Sequence, residues 1–303
     1  MNRKNSVGII GPGRIGKIYI REFIKLNYKK VFIFGSTQKK TKLLITYYKS
    51  KSIKIVHTKN LDMITNNCKV VCICSPTNTH LKYINFFRKK KIKVIVEKPL
   101  ISQQNLNNID VKNFLKDLIN DKKQFLTSLP MFFYAKNIKK YLKLKSLKNI
   151  KFKYLTNGNN KFNDIADDLL PHAISFIYVF FGKKIENYIN LKKKVSKNTW
   201  KCKFLLDKTK INFDFSQNKQ KESILEIFIN QKTIKRYQKI RKNGDLDIFM
   251  KIKDKKIKIK NPLSQIIKYN YNKLLRLKNF KECYYLNYYV LQMTNNFIKN
   301  EKI

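Results

Sequence analysis

Glycine and proline are scarce in this chain, 8 and 6 among 303 residues, and there are only three alanines (Ala135, Ala166, Ala173) and one tryptophan. Collagen-like and Gly/Pro-rich low-complexity architectures are excluded by that. Acidic residues are also few, 19 against 67 Lys and Arg, which gives a formal net charge of +48. The five cysteines (Cys68, Cys72, Cys74, Cys202, Cys283) contain no C-x-x-C, and three of them fall in one apolar strand region. A disulfide scaffold or a zinc site is therefore not indicated, and buried free thiols in a reducing compartment are expected. Long apolar runs are missing: the longest, Ala173 to Gly182, is interrupted by Ser175 and is about half of what spans a bilayer. The start, Met1-Asn2-Arg3-Lys4-Asn5-Ser6, does not read as a signal peptide, so a cytoplasmic protein with no membrane partner is expected.

Lysine, Asn, Ile, Phe and Tyr fill the space that the scarce residues leave, as a coding bias towards A and T would produce. Lysines are spread along the entire chain, far outnumber arginine and accompany no RNP, zinc-finger or homeodomain pattern. They read as a solvated surface without a specific nucleic-acid partner, one that sticks to polyanions in a salt-dependent way.

Against this background the placement of glycine is informative. Five of the eight (Gly8, Gly11, Gly13, Gly16, Gly35) lie in the first 35 residues. The buried strand Ser6 to Ile10 is followed by Gly11-Pro12-Gly13-Arg14-Ile15-Gly16 and an apolar-periodic run, Ile18, Ile20, Phe23, Ile24. In a G-x-G-x-x-G turn the first glycine permits the bend and the second lets backbone approach a pyrophosphate. The third packs helix on strand, with the phosphate on the N–H groups at the helix start. A second strand, Lys30 to Phe34, follows within one βαβ unit.

The next turn, Gly35-Ser36-Thr37-Gln38-Lys39-Lys40, lacks the carboxylate that would hold a ribose 2′-hydroxyl. Ser36, Thr37, Lys39 and Lys40 suit a 2′-phosphate, hence NADP with NAD also possible; the alternative is that Ser36 or Thr37 only caps a helix. Strands follow at Ile53 to His57 and Val70 to Cys74, the latter ending in Ser75-Pro76-Thr77-Asn78-Thr79-His80. The carboxyl end of a parallel strand is where doubly wound folds keep ligands. His80 reads as a ligand contact or as a helix-start residue. A helix from Leu81 to Lys90, the strand Lys93 to Val96 and then Glu97-Lys98-Pro99-Leu100 complete the pattern.

In this order, GPGRIG, CSPTNTH and VIVEKPL resemble the glucose-fructose oxidoreductase and inositol dehydrogenase (Gfo/Idh/MocA) family. The resemblance implies that Lys98 projects towards nicotinamide and substrate, and that Glu97 and the Ser75-Pro76 turn line the cofactor cleft. A helix from Gln104 to Asn120 and a strand from Gln124 to Leu129 are expected to close a Rossmann domain, residues 1–130. Residues 131–303 read as an α+β substrate and oligomerisation domain on a largely antiparallel open sheet. Its expected strands are Ile150 to Leu155, Ile185 to Leu191, Trp200 to Leu206, Lys210 to Phe215, Ile224 to Ile229 and Thr233 to Ile240, followed by two helices, Leu263 to Leu277 and Cys283 to Lys299.

Asp168 and His172 stand i and i+4, on one face of a helix. They match the family's D-x-x-x-H pair, although Asp164 to Asp167 precede them where relatives commonly have glycines. A helix-capping Asp and a buried, satisfied His are the alternative reading. The resemblance implies a dehydrogenase or reductase acting on a carbinol or carbonyl carbon of a sugar, cyclitol or nucleotide sugar. His172 would be the general acid/base, which its ordinary titration range suits, Lys98 would polarise the reacting oxygen, and Asp168 would bind a neighbouring hydroxyl. A biliverdin-reductase-like or imine-reducing relative and a non-catalytic cofactor sensor or polyanion binder are the other classes. An open sheet face, as in relatives that assemble, leads us to expect a homo-oligomer.

Overall fold

The structure is a computed structural model that describes residues 5–35, 37–49, 53–90, 92–102, 105, 110, 113–114, 125–144, 146–241, 245–276 and 280–299. The chain divides into two compact units, residues 1–128 with 266–287, and 129–265 with 288–303.

Six parallel strands build the first unit: β1 (Ser6–Ile10), β2 (Lys30–Phe34), β3 (Lys54–His57), β4 (Val70–Ile73), β5 (Lys93–Glu97) and β6 (Phe125–Ser128). Their spatial order is β3-β2-β1-β4-β5-β6, the doubly wound arrangement whose direction reverses between β1 and β4. Val7, Ile9, Val31, Val70, Val71, Val94 and Ile95 are fully buried, as strands covered on both faces require. Helices α1 (Arg14–Lys25), α2 (Gln38–Lys49), α3 (Leu61–Asn67) and α4 (His80–Arg88) connect them. The helix expected from Gln104 to Asn120 lies almost wholly outside the described residues.

A single cut at residue 130 does not divide the chain as expected, because residues 266–287 return to the first unit. On the sheet's edge strand β6, the backbone N–H of Thr127 donates to Asn287 Oδ1 at 2.8 Å and its C=O accepts from Asn270 Nδ2 at 2.9 Å. These amides satisfy an edge that would otherwise lie open. Tyr271 places its ring 5.8 Å from both Phe23 and Tyr28, and the Tyr28 and Tyr271 hydroxyls are 3.0 Å apart.

The second unit opens with helix α5 (Pro130–Leu142), which the sequence reading did not anticipate. Eight strands follow: β7 (Asn149–Thr156), β8 (Tyr188–Val195), β9 (Thr199–Leu206), β10 (Thr209–Gln217), β11 (Ile224–Ile229), β12 (Lys232–Ile240), β13 (Leu246–Ile252) and β14 (Lys255–Ile259). Their order is β14-β13-β12-β11-β7-β10-β9-β8, antiparallel at every pairing except β7 with β10. The strand expected from Ile185 begins instead at Tyr188. Ile185 buries its side chain from a short 3₁₀ turn, Gly182–Glu186, so the apolar signal there reports burial rather than extension.

Helix α6 (Asn163–Phe181) covers one face of this sheet. Phe176 lies 5.4 Å from Phe152, and Trp200, Phe213 and Phe215 extend the aromatic core. The span from Asn163 to Glu186 is long and apolar enough to cross a membrane by length and composition, but two thirds of it is buried in this core. On the opposite face one row crosses all eight strands: Lys194, Lys201, Asp214, Lys153, Glu226, Lys235, Lys251 and Lys256. The chain ends its described part in helices α7 (Pro262–Arg276) and α8 (Phe280–Lys299).

Candidate functional site

In the first unit the candidate residues gather where β1 and β4 end, the reversal point of the sheet. Gly11 has φ +78° and receives no side chain: a Cβ there would lie 2.6 Å from the Ser75 Cα and 2.7 Å from its N. Gly16 is as constrained, its hypothetical Cβ falling 2.6 Å from the Gly11 carbonyl oxygen. Gly13, by contrast, faces open space, with nothing within 4 Å. The turn therefore has two glycines that keep backbone against backbone and one that leaves room for a bound group. Gly13 is the N-cap of α1, with no side-chain cap, so the N–H groups of Arg14, Ile15 and Gly16 are available to an anion. Pro12 is buried behind the turn, while Gly13 and Arg14 are exposed. This cradle, in which a Cβ could not fit at two positions and a phosphate could at the third, suits a dinucleotide pyrophosphate.

Ser36 lies outside the described residues. Thr37 Oγ1 accepts the Lys40 N–H at 3.3 Å at the start of α2, so the capping role expected as an alternative is present. Lys39 and Lys40 are exposed beside it.

After β4, Ser75 Oγ accepts from Thr79 Oγ1 at 2.7 Å across a 3₁₀ turn, Thr77–Thr79, that Pro76 precedes. His80 takes the second of its two expected readings, the first residue of α4, and not that of a cofactor contact. Its ring is 1% exposed, with Nδ1 2.9 Å from the Pro99 carbonyl oxygen and Nε2 2.9 Å from that of Ser75. Both nitrogens are engaged by backbone, so the imidazole ties the β4 turn to the Lys98-Pro99 turn. Burial holds its pKa below the ordinary value.

Glu97 ends β5 and accepts a hydrogen bond from Tyr19 Oη at 2.8 Å. Burial raises its carboxyl pKa, and this outweighs the Tyr19 hydrogen bond and the Lys98 charge, which both lower it. Lys98 follows, half-buried, at the strand end. Cys72 and Cys74 sit in β4 and the residue after it, their thiols pushed up by burial and so protonated and inert.

In the second unit Asp168 and His172 lie on α6 one turn apart, as the i, i+4 spacing predicts. Asp168 Oδ2 accepts from Gln217 Nε2 at 2.8 Å, and Gln217 Oε1 in turn accepts the Asn160 N–H at 2.7 Å. Gln217 is 1% exposed. It fixes the carboxylate's direction and takes no proton itself, the function of a supporting residue. His172 is 8% exposed, and its ring meets that of Tyr154 edge-on at 5.7 Å. Tyr154 and Gln217 were not singled out from sequence: each is an alternate residue of a strand, and its nearness to α6 depends on pairings between β7, β10 and β11.

These two constellations define a class first: a dinucleotide-type doubly wound domain joined to an open-faced sheet domain that carries an Asp/His pair on a buried helix. Residues 5–127 match the Gfo/Idh/MocA oxidoreductase family, NAD-binding Rossmann fold. No curated protein matches the chain. Among solved structures, a Gfo/Idh/MocA family oxidoreductase from Vibrio cholerae is similar at 11% identity, with a TM-score of 0.72 and 98% of each chain covered. The UDP-N-acetylglucosamine 3-dehydrogenase GnnA from Acidithiobacillus ferrooxidans aligns at 12% identity and TM-score 0.67 over 97% of this chain and 98% of its own. The WlbA dehydrogenase from Thermus thermophilus, in complex with NAD and UDP-GlcNAcA, aligns at 10% and 0.64 over 96% and 94%. Over residues 5–127 the chain is thus similar to the NAD-binding Rossmann domain of those oxidoreductases, and the whole chain has the fold of these solved structures.

Proposed function

We propose that this protein is an NAD(P)-dependent oxidoreductase that moves a hydride between nicotinamide and a carbinol or carbonyl carbon of a sugar, cyclitol or nucleotide sugar. The observation that carries the reading is the Asp168–His172 pair on α6, its carboxylate aimed by Gln217, in a chain whose Gly11-Gly13-Gly16 turn is shaped for a pyrophosphate. Two of the similar structures are nucleotide-sugar dehydrogenases or hold a nucleotide sugar, which supports that substrate class.

The Gly13 turn and the first N–H groups of α1 would hold the pyrophosphate, and Ser36, Thr37, Lys39 and Lys40 the adenosine side. Bound there, the dinucleotide supplies the hydride acceptor and donor. His172 takes the hydroxyl proton in oxidation and returns it in reduction. Lys98 holds the reacting oxygen and steadies the negative charge that develops on it. Asp168, aimed by Gln217, accepts from a neighbouring hydroxyl. The absence of a carboxylate after β2 supports NADP(H) over NAD(H). The proposal includes a cytoplasmic location, a small-molecule substrate and self-association through the sheet.

Fluorescence titration followed by turnover on sugars and nucleotide sugars tests the reading. NADPH is expected to bind at least about tenfold more tightly than NADH at physiological salt, a difference of ~1.4 kcal/mol, and Ser36→Asp to reverse the order. His172→Ala should leave NADPH affinity near wild type and lower turnover by roughly 10²–10⁴. Near-normal turnover in that variant overturns the assignment. Tight cofactor binding with no turnover on any substrate favours a sensor.

A further inference from the structure

One charged side chain on the helix-covered face of the second unit's sheet has no role in the reading above. Phe215, Tyr154, Leu225, Arg236 and Met250 stand in register across β10, β7, β11, β12 and β13. Paired residues of neighbouring strands share a face, so all five belong to one row. Phe215, Leu225 and Met250 are at most 1% exposed, and Ile234, two residues before Arg236 on the same face, is fully buried. Arg236 itself is half-buried, and an arginine in such a row is costly to the extent that its charge is not met. Among the described residues no carboxylate pairs with Arg236. Its guanidinium donates from Nη2 to Tyr154 Oη at 3.2 Å and lies 5.5 Å from that ring's centre.

A second observation points the same way. Tyr134 on α5 is fully buried, and its hydroxyl has no hydrogen-bond partner among the described residues. Burial raises its pKa, and the nearby charge of Arg236 opposes that rise, so the phenol is a neutral donor within the guanidinium's field. Tyr154 connects the pair to the candidate acid/base group, since its ring also meets His172. Arginine is uncommon here, seven residues against 60 lysines. Where lysine is the default cation, an arginine on an apolar face offers what lysine lacks, a planar fork that matches two oxygens at once.

We propose that Arg236 and Tyr134 form a carboxylate-binding subsite beside His172, and that the substrate is a sugar acid of the uronate type. One cation and one neutral donor in apolar surroundings match a monoanion with two oxygens; a phosphate dianion would keep uncompensated charge there. The inference deepens the proposed function and rests on it for the sugar, while the subsite stands on its own geometry.

Isothermal titration of D-glucuronate and D-glucose at 150 mM NaCl tests it, on wild type, Arg236→Met, Arg236→Lys, Tyr134→Phe and, as a control for surface charge, Lys194→Met. Wild type should bind glucuronate at least tenfold more tightly than glucose. Arg236→Met should erase that preference, Arg236→Lys should keep part of it, and Tyr134→Phe should weaken glucuronate about threefold to tenfold. Lys194→Met should match wild type. Arg236→Met should also melt no lower than wild type, because methionine fills the row without an unmet charge; a merely structural arginine would give the opposite shift. No preference for glucuronate in wild type, or an unchanged preference in Arg236→Met, overturns the subsite. Arg236-dependent binding of glucuronate by a protein that turns over no sugar acid upholds the subsite and overturns only the dehydrogenase reading.

Discussion

Glu97 carries a carboxyl group in a place that disfavours its charge, and keeps it. Burial raises its pKa in the folded chain, so at neutral pH the folded state bears a cost that the unfolded chain does not. With a raised carboxyl pKa, the cost is absent below the unfolded value, near 4.5, grows as pH rises through the folded pKa and is complete above it. Glu97→Gln keeps an acceptor for Tyr19 and removes the charge. Thermal melts should therefore show Glu97→Gln above wild type at pH 7, with the gap closing by pH 4; a gap constant with pH would refute this account. Lower NADPH affinity or turnover in the same variant would identify the charge as kept for function. At this scale the sequence was legible where a residue's type is forced by local backbone: Gly11 and Gly16 are glycines because nothing else fits. His80 was misread because its two acceptors, Ser75 and Pro99, come from different strand ends, and a local pattern does not show which carbonyls converge. Arg236 and Tyr134 were hidden for the same reason, one in a strand and the other in an unanticipated helix.

Among the elements, α6 begins in an unusual way. Phe162, the residue before it, has φ +49° and ψ −126° and is 56% exposed, so the side chain contributes little burial while the backbone adopts a conformation that glycine takes more easily. Phe162→Gly should release ~1–3 kcal/mol of strain, less the ~0.5–1 kcal/mol that glycine's freedom adds to the unfolded chain. The expected gain is about 1 kcal/mol, or a rise in Tm of roughly 2–4 °C. Phe162→Ala retains the Cβ and should gain nothing; if the alanine variant melts as high as the glycine variant, strain is not the cause. The six strands of the first sheet were readable as continuous apolar runs, because both of their faces are covered, and most of the second from apolar alternation, since one buried face imposes it. β13 and β14 escaped because they lie at the sheet's edge, where less of each strand is buried: only Ile248 and Met250 are buried in Leu246–Ile252, and Lys255–Ile259 is short and lysine-rich. The parallel pairing of β7 with β10 is a matter of topology that no local pattern records.

For the whole molecule, charge dominates. The outer row of the second sheet holds six lysines and two acids, and Lys194 faces Lys201 directly. Asp214 pairs with Lys201 at 3.2 Å, and Glu226 pairs with Lys235 at 2.9 Å and Lys153 at 3.5 Å, its pKa lowered first by the Lys235 hydrogen bond. Such exposed pairs contribute little each, and the surplus of like charge works against compactness. Salt shortens the range of that repulsion from about 30 Å at 0.01 M to roughly 8–10 Å near physiological strength. Tm should therefore rise between 10 and 500 mM NaCl, and association through this face, followed by light scattering, should strengthen over the same range. A Tm that falls with salt would mean that the ion pairs outweigh the repulsion.

The return of residues 266–287 to the first unit also sets an order of events during synthesis. Its six strands are complete by residue 128, yet Asn270, Tyr271 and Asn287, which pair with its edge and cover Phe23 and Tyr28, come about 140 to 160 residues later. At ~5–20 residues per second that is a wait of roughly 8–30 s. The nascent dinucleotide domain spends it with β6 unguarded, while the entire sheet of the second unit is made and folded in between. The half that emerges first thus waits for a segment made only after every strand of the other half.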